Sequence, residues 1–272
     1  MTYLHSSSKS LTQHSQRGEE TMNFLRISSI ILLFAAIFAV SSASAATCSD
    51  ATLKGVYGFI FSGFGGDGTP RASVGQGTAD GKGTLSGTLT KSKDGTILTG
   101  TFTGTYKVAK NCTGSVTFID PDGETRDVNF VFDNGNKGWQ GIQTDSGRVS
   151  SGFGLAEGAA VCGENGKKQT FAANLSGFVI NNNKVGAVAY VEQVILDGKG
   201  NVSGNGTFSL DGAIYTVPIT GTYTENADCT GSAQITPQGI STLNFNFVVV
   251  NAGKEILLVE TDTNTIVSGT MQ

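Results

Sequence analysis

The chain has 272 residues, of which 38% are hydrophobic and 15% charged, with a formal net charge of −4. This composition is sufficient for a globular core of ordinary size. A mildly acidic chain that is poor in Lys and Arg is a weak binder of phosphate backbones, so nucleic acid is not expected as a partner.

The first 45 residues have the pattern of a leader and signal peptide. Arg26 supplies positive charge, residues 30–40 form an apolar run, and Ala43-Ser44-Ala45 is a small-residue cleavage site. The apolar run is too short for a transmembrane helix. We therefore expect a secreted protein, extracellular or periplasmic, that has no membrane span after removal of the signal.

The rest of the chain contains an internal repeat. Residues 80–152 align without a gap onto residues 197–269, at a constant offset of 117. A repeat of this length indicates two copies of a whole domain. We expect the copies at residues 46–158 and 159–272, and the short joint at residues 157–161 predicts that they touch end to end.

Each copy carries seven turn signals, which predict eight strands. Asp-Gly pairs such as Asp94-Gly95 and Asp211-Gly212 favour tight hairpins, because both central residues of a type I′ turn need positive φ. Between the turns, apolar residues alternate with Thr, Ser and Asn. The predicted fold is all-β, with two tandem eight-stranded antiparallel up-and-down β-barrels whose apolar faces point inward; two β-sandwiches are the alternative.

Four cysteines follow the signal, two in each copy. An even number in an exported chain indicates disulfides, because such compartments are oxidising. Of the three possible pairings, the one within each copy is the simplest. It predicts the disulfides Cys48–Cys112 and Cys162–Cys229.

The chemistry available to the exported chain is limited. The only histidines, His5 and His14, precede the signal, which removes His-dependent catalysis and the commonest metal ligand. The repeated turn aspartates, such as Asp80 and Asp197, are predicted to cap backbone amides. The acidic segment 120–124 is predicted to be a solvated hairpin tip and not a calcium loop. We predict no catalytic residue, metal site or cofactor.

A polar group recurs on an apolar strand face in both copies. Gln76 and Gln193 share their face with Ala and Val, and Tyr106 and Tyr223 are predicted to point inward. If the Gln-bearing face is also inward, these four residues form a small-ligand site in each lumen. The alternative interpretation is an internal hydrogen bond in a filled barrel, because eight strands leave little free space.

The string TGTY…CTGS…FVF…TD…SG, which follows an initial Cys and DGKG…SG, resembles a group of small secreted bacterial proteins, mostly uncharacterised. The likeness covers nearly all of each copy and implies no established activity. The eight-strand meander is similar in topology to the barrels of lipocalins, allene oxide cyclases and dirigent proteins. This second likeness implies a fold and not a function.

From these observations we expect a secreted, non-enzymatic binding or surface module that holds a small apolar ligand in each barrel. A structural or matrix protein is one alternative. A cofactor-free isomerase or cyclase of the allene oxide cyclase type is another. The expected partner is a small apolar molecule or a cell-surface or matrix polymer.

Overall fold

The structure is a computed structural model, and it describes residues 47–133, 135, 137–159, 162–163, 166–182 and 184–272. The predicted leader and signal peptide lie outside the described residues. Within these ranges the chain is all-β apart from two short 3₁₀ turns, Asp50–Leu53 and Asn251–Gly253. No helix in this described part is long and apolar enough to cross a membrane.

Sixteen strands form two closed antiparallel barrels. Barrel 1 consists of β1 (Gly55–Phe64), β2 (Pro70–Ala79), β3 (Thr84–Lys93), β4 (Thr96–Val108), β5 (Thr113–Ile119), β6 (Thr125–Phe132), β7 (Gly138–Gln143) and β8 (Val149–Ala156). Barrel 2 consists of β9 (Gln169–Asn181), β10 (Lys184–Leu196), β11 (Asn201–Leu210), β12 (Ala213–Glu225), β13 (Thr230–Pro237), β14 (Leu243–Val250), β15 (Glu255–Glu260) and β16 (Thr265–Met271).

Each strand pairs with its neighbours in sequence, and the last strand of each barrel pairs with the first. The predicted up-and-down barrels are therefore confirmed, and the sandwich alternative is wrong. Tight turns account for this topology: Asp94 and Gly95 both have positive φ, as do Asp211 and Gly212 at the equivalent turn. Short hairpins of this kind pair consecutive strands and leave no chain for a crossing connection.

The predicted alternation of side chains places apolar residues inside both barrels. On β4, Phe102 and Tyr106 are buried while Thr101 and Thr103 are exposed. Small residues lie beneath the large rings: a Cβ on Gly87 would come within 2.8 Å of the Phe102 ring. An interior in which glycine alternates with aromatic residues suits a narrow barrel.

Both predicted disulfides are present. Cys48 pairs with Cys112, and Cys162 pairs with Cys229, with Cα–Cα distances of 5.0 Å in each case. Each bridge ties the segment before the first strand to the turn between the fourth and fifth strands. Two disulfides are typical of proteins from an oxidising compartment.

The repeated aspartates cap turns, as predicted. Oδ1 of Asp80 accepts hydrogen bonds from the amides of Lys82 and Thr84 at 2.7 and 3.0 Å. Oδ1 of Asp197 does the same for the amides of Lys199 and Asn201, at 2.8 and 2.9 Å. These carboxylates therefore hold hairpins together and are not free for acid–base chemistry.

The two barrels pack side by side, and the predicted end-to-end contact is wrong. Outward residues of β1 and β2 form one buried apolar cluster with outward residues of β14, β15 and β16; the cluster contains Ile60, Ala72, Val74, Val248, Val250, Leu257, Val259 and Ile266. All six residues of β15 are buried, because one of its faces lines the lumen of barrel 2 and the other contacts barrel 1. Thr47–Gln272 accordingly forms one compact unit.

Candidate functional site

The lumen of barrel 1 contains a cavity of about 150 Å³. Its walls are rich in aromatic side chains, namely Tyr57, Phe59, Phe61, Phe102, Phe118, Phe130 and Trp139. The rings pack edge to face, with centroid distances of 5.7 Å for Phe59–Phe102 and 5.4 Å for Phe102–Phe118. Aromatic pairs of this geometry form a firm apolar surface.

One end of this lumen is closed by the segment that follows Cys48, and we call it the disulfide end. Leu53, in the 3₁₀ turn, is buried and lines the cavity. The hydroxyl of Tyr106 donates to the carbonyl of Asp50 at 3.0 Å, and Oδ1 of Asp50 accepts from the amide of Val108 at 2.7 Å. These bonds and the disulfide fix the turn across the lumen.

Charged residues line the opposite end of the lumen. We call them the rim cluster: Arg71, Lys91, Lys93, Asp120, Asp122, Glu124, Arg126 and Arg148. Asp120 is buried, and its Oδ2 accepts from Nζ of Lys91 and Nε of Arg126, both at 2.8 Å. Hydrogen bonding to Arg126 lowers the pKa of Glu124 to about 2. Glu124 therefore stays ionised at neutral pH.

The rim cluster has more cations than anions, since five bases face three acids. Arg71 is the base of the cluster that forms no ion pair with these acids. Within the described part of the chain it forms no ion pair, and its Nε is buried without a hydrogen-bond partner. The nearby carboxylate of Asp67 instead accepts from the amide and hydroxyl of Thr69. Burial and repulsion from Arg148 lower the pKa of Arg71, so an anion beside this guanidinium would relieve both effects.

The lumen of barrel 2 is different. Its centre holds a cavity of only about 40 Å³, and a second cavity of about 220 Å³ lies at the end of the lumen near Phe171 and Glu225. Apolar residues replace four of the five bases at equivalent positions: Val188 replaces Arg71, Phe208 replaces Lys91, Leu210 replaces Lys93 and Leu243 replaces Arg126. The two copies therefore share a fold, but their lumens differ in the residues that line them. Of the two predicted ligand sites, one in each barrel, the site in barrel 1 is the better candidate.

Two carboxylic acids are buried inside barrel 2. Burial raises the pKa of Glu192 to about 7 and that of Glu260 to about 8. The hydroxyl of Tyr190 lies 3.5 Å from Oε2 of Glu260. Near neutral pH Glu260 is therefore largely protonated in the folded state and Glu192 is close to half protonated; the protonated form is the one that an apolar lumen tolerates.

The structure separates the four predicted ligand-binding residues. Gln76 is outside the lumen: its Nε2 donates to Oε1 of Glu157 at 2.5 Å and to the carbonyl of Asp228 in barrel 2. Gln193 is exposed on the outer surface of barrel 2. The condition for this ligand site, that the Gln-bearing face points inward, is therefore not met, because the apolar residues beside Gln76 pack against the second barrel.

The two tyrosines are buried, but at different kinds of position. The hydroxyl of Tyr106 is already bonded to Asp50 at the disulfide end of barrel 1. Tyr223 lines the small cavity of barrel 2, together with Glu192. Neither tyrosine shares a cavity with a glutamine of its own copy.

Sequence reasoning missed the rim cluster, although the strand alternation carries the signal. Lys91 and Lys93 have the same parity as Leu85 and Leu89, which places them inside. The acidic segment 120–124 was expected to be a solvated tip. That expectation is wrong for Asp120, which is 5% exposed. Among the described residues, no group of three or more His, Cys, Asp or Glu side chains is arranged to hold a metal ion.

No protein-family model matches this chain, and no curated protein matches it in sequence.

Proposed function

We propose that the chain is a secreted, non-enzymatic binding protein whose first barrel holds a small apolar molecule with an acidic group. The observation that carries this proposal is the form of the barrel 1 lumen. It has an aromatic cavity, a closed disulfide end and a surplus of positive charge at the other end. An apolar concavity with a few convergent polar groups is the usual form of a small-ligand site.

The size of the cavity limits the ligand. A cavity of about 150 Å³ matches apolar cavities that take a single benzene-sized molecule. Arg71 favours a carboxylate, because a guanidinium donates two parallel hydrogen bonds to that group. The ligand class is therefore a small aromatic or similarly compact carboxylic acid, with its ring among the phenylalanines and its carboxylate at the rim cluster.

Titration calorimetry with benzoate and with benzyl alcohol, its neutral counterpart of similar shape, tests this proposal. Benzoate is expected to bind, and benzyl alcohol to bind about tenfold or more weakly. Arg71→Gln should weaken benzoate about tenfold to a hundredfold, since bonds to a charged group contribute roughly 1.5–3 kcal/mol. The same variant should leave benzyl alcohol unchanged.

A lumen-filling variant provides the second arm. Ala79 lines the cavity, and barrel 2 has Leu196 at the equivalent position. Ala79→Leu should abolish binding of both compounds. The matched control is Ala189→Leu, which adds the same atoms to an exposed position outside barrel 2. Absence of binding by the unmodified protein, or equal binding by Ala79→Leu, would contradict the proposal.

The two alternatives differ in their support. A cavity of about 150 Å³ is small beside the roughly 300–1,000 Å³ of pockets that enclose larger organic molecules. This difference disfavours an isomerase or cyclase of the allene oxide cyclase type. A structural or matrix role would depend on the Thr, Ser and Asn residues of the outer surface, and the lumen gives no support for it.

A further inference from the structure

The two barrels contact each other through different faces. The first contact face lies on β1–β3 of barrel 1 and consists of the outward residues Ile60, Ala72, Val74, Gln76, Thr90 and Ser92, with Gly95 in the following turn. The second contact face lies on β14–β16 of barrel 2 and consists of Asn246, Val248, Val250, Leu257, Val259, Asn264, Thr265 and Ile266. Such an interface is heterologous, and heterologous contacts between repeated units leave one face of each kind unused.

Specific polar contacts accompany the apolar cluster at this interface. Nδ2 of Asn246 donates to Oγ1 of Thr90 at 3.0 Å. Oγ of Ser92 donates to the carbonyl of Thr265. The amide of Asn264 donates to the carbonyl of Gly95 at 2.8 Å. These bonds fix the register of one barrel on the other.

Barrel 2 repeats the first contact face on its own outer surface, on β9–β11. Six of its positions carry the same residue in both copies, namely Ala72 and Ala189, Val74 and Val191, Gln76 and Gln193, Thr90 and Thr207, Ser92 and Ser209, and Gly95 and Gly212. In barrel 2, however, this face is not covered. Val191 is 61% exposed, and Gln193 and Thr207 are also exposed.

Most inward residues of the same strands differ between the copies. Arg71 of β2 is replaced by Val188, and Lys91 of β3 by Phe208. Identity is therefore concentrated on the outer side of these strands, where barrel 1 uses it for a contact. Barrel positions that face only solvent do not require the same residue in both copies.

Barrel 1 repeats part of the second contact face on β6–β8. Asn129 and Val131 are identical to Asn246 and Val248, and Ile142 and Val149 replace Val259 and Ile266. The three apolar residues are 48%, 55% and 75% exposed, for Val131, Ile142 and Val149 in turn. Clustered exposed apolar residues of this kind mark an interaction surface.

We propose that these two unused faces bind each other between molecules, so that the partner is a second copy of this chain. The free face on β9–β11 of one molecule docks onto the free face on β6–β8 of the next, in the arrangement that joins the two barrels within each molecule. Thr207 then lies opposite Asn129 of the neighbour, as Thr90 lies opposite Asn246. A heterologous contact of this kind extends into an open chain or closes into a ring.

The polar character of the faces suits reversible self-association. The outward residues of β9, β10 and β11 are Ala, Val, Ile, Phe, Ser, Thr, Asn and Gln, without a charged residue among them. An uncharged face adds no charge repulsion to its contact with the face on β6–β8 of the neighbour. Its apolar part is smaller than that of the internal interface, since Asn174 stands at the position of Ile60. We therefore expect association to depend on protein concentration.

Sedimentation velocity of the purified protein over a wide concentration range tests this proposal. The unmodified protein is expected to form dimers and larger species as its concentration rises. Val191→Lys removes one free face and Val149→Lys removes the other, and each should weaken self-association about tenfold or more. Ile119→Lys is the matched control, because Ile119 is 53% exposed at the end of β5, outside both faces.

Mixing the two variants provides the decisive arm. The Val191→Lys chain keeps its face on β6–β8, and the Val149→Lys chain keeps its face on β9–β11. A mixture should therefore form a one-to-one dimer and stop there, while each variant alone stays monomeric. An unmodified protein that remains monomeric at all concentrations would overturn the proposal. So would variants that both associate like the parent, or a mixture that forms no dimer. Thermal unfolding of each variant confirms that it is folded.

Discussion

Lys91 of barrel 1 and Phe208 of barrel 2 occupy the same position of the repeated strand, and both side chains point into a lumen. Lys91 reaches the buried carboxylate of Asp120 at 2.8 Å. Phe208 is almost fully buried, and its ring packs 5.2 Å from that of Tyr190. Substitutions of this kind at the inward bases distinguish a lumen with a charged end from one that is lined by apolar residues at the same positions.

A first prediction concerns Arg126→Leu in the rim cluster. This change introduces the residue that barrel 2 has at the equivalent position, Leu243. The change leaves the buried Asp120 with one cation fewer, and breaking a buried pair costs about 3–5 kcal/mol. Urea unfolding followed by the fluorescence of Trp139, the only tryptophan, reports on barrel 1. Adding Asp120→Asn should recover part of the loss. Equal stability of Arg126→Leu and the parent protein would show that the pair is not formed.

The acids of barrel 2 give a second prediction, on pH. Burial raises the pKa of Glu260 from 4.5 to about 8, and the nearby Asp262 and Glu192 add to the effect. The unfolded chain releases this proton near pH 4.5 while the folded chain keeps it, so stability is full below that pH and falls as pH rises towards 8.

Glu260→Gln should remove most of this loss. The variant is expected to match the parent at pH 4 and to exceed its stability at pH 8 by on the order of 2–4 kcal/mol. Calorimetric unfolding at both pH values measures the difference. A parent protein whose barrel 2 is equally stable at pH 4 and pH 8 would rule out a buried protonated acid.

The contact between the barrels gives a third prediction, on Gly58→Ala. A Cβ at Gly58 would lie 2.4 Å from Cγ1 of Val250 and 2.8 Å from Cγ1 of Val248. Overpacking of this kind costs about 1–3 kcal/mol. The matched control is Ala172→Val, at the equivalent exposed position of barrel 2, which should change stability by less than about 0.5 kcal/mol. Equal effects of the two variants in urea unfolding would argue against the side-by-side contact.

The disulfides give a fourth prediction. Cys48 and Cys112 are 64 residues apart, and closing a loop of this length contributes about 4 kcal/mol in the chain-entropy model. The Cys48→Ser, Cys112→Ser double variant should lower the urea midpoint seen by Trp139 fluorescence. The same change at Cys162 and Cys229 is the control, because it removes the disulfide that closes a loop of similar length in the other barrel. An effect on the Trp139 signal that is as large in the control would mean that the barrels unfold as one unit.

The sequence was sufficient for the barrels and the disulfides, because each depends on local patterns. Turn pairs such as Asp94-Gly95 pair neighbouring strands, and the alternation around Phe102 assigns its inner face. These signals lie within a few residues of one another and require no knowledge of distant contacts.

The candidate site was less predictable, because the alternation on β2 is misleading. Ala72 and Val74 are apolar, yet they point outward and are buried by barrel 2. The inner face of β2 has Arg71 at the rim and Gly75 beneath the ring of Phe59. A barrel that docks on another has two apolar faces, and only the partner barrel shows which one lines the lumen.

The central claim is that the aromatic lumen of barrel 1 receives a small carboxylic acid, and nuclear magnetic resonance of the benzoate complex tests it most directly. We predict nuclear Overhauser effects between the benzoate ring protons and the indole protons of Trp139, and their loss in Ala79→Leu. Benzoate that binds but shows such effects only to residues outside the barrels would contradict the claim.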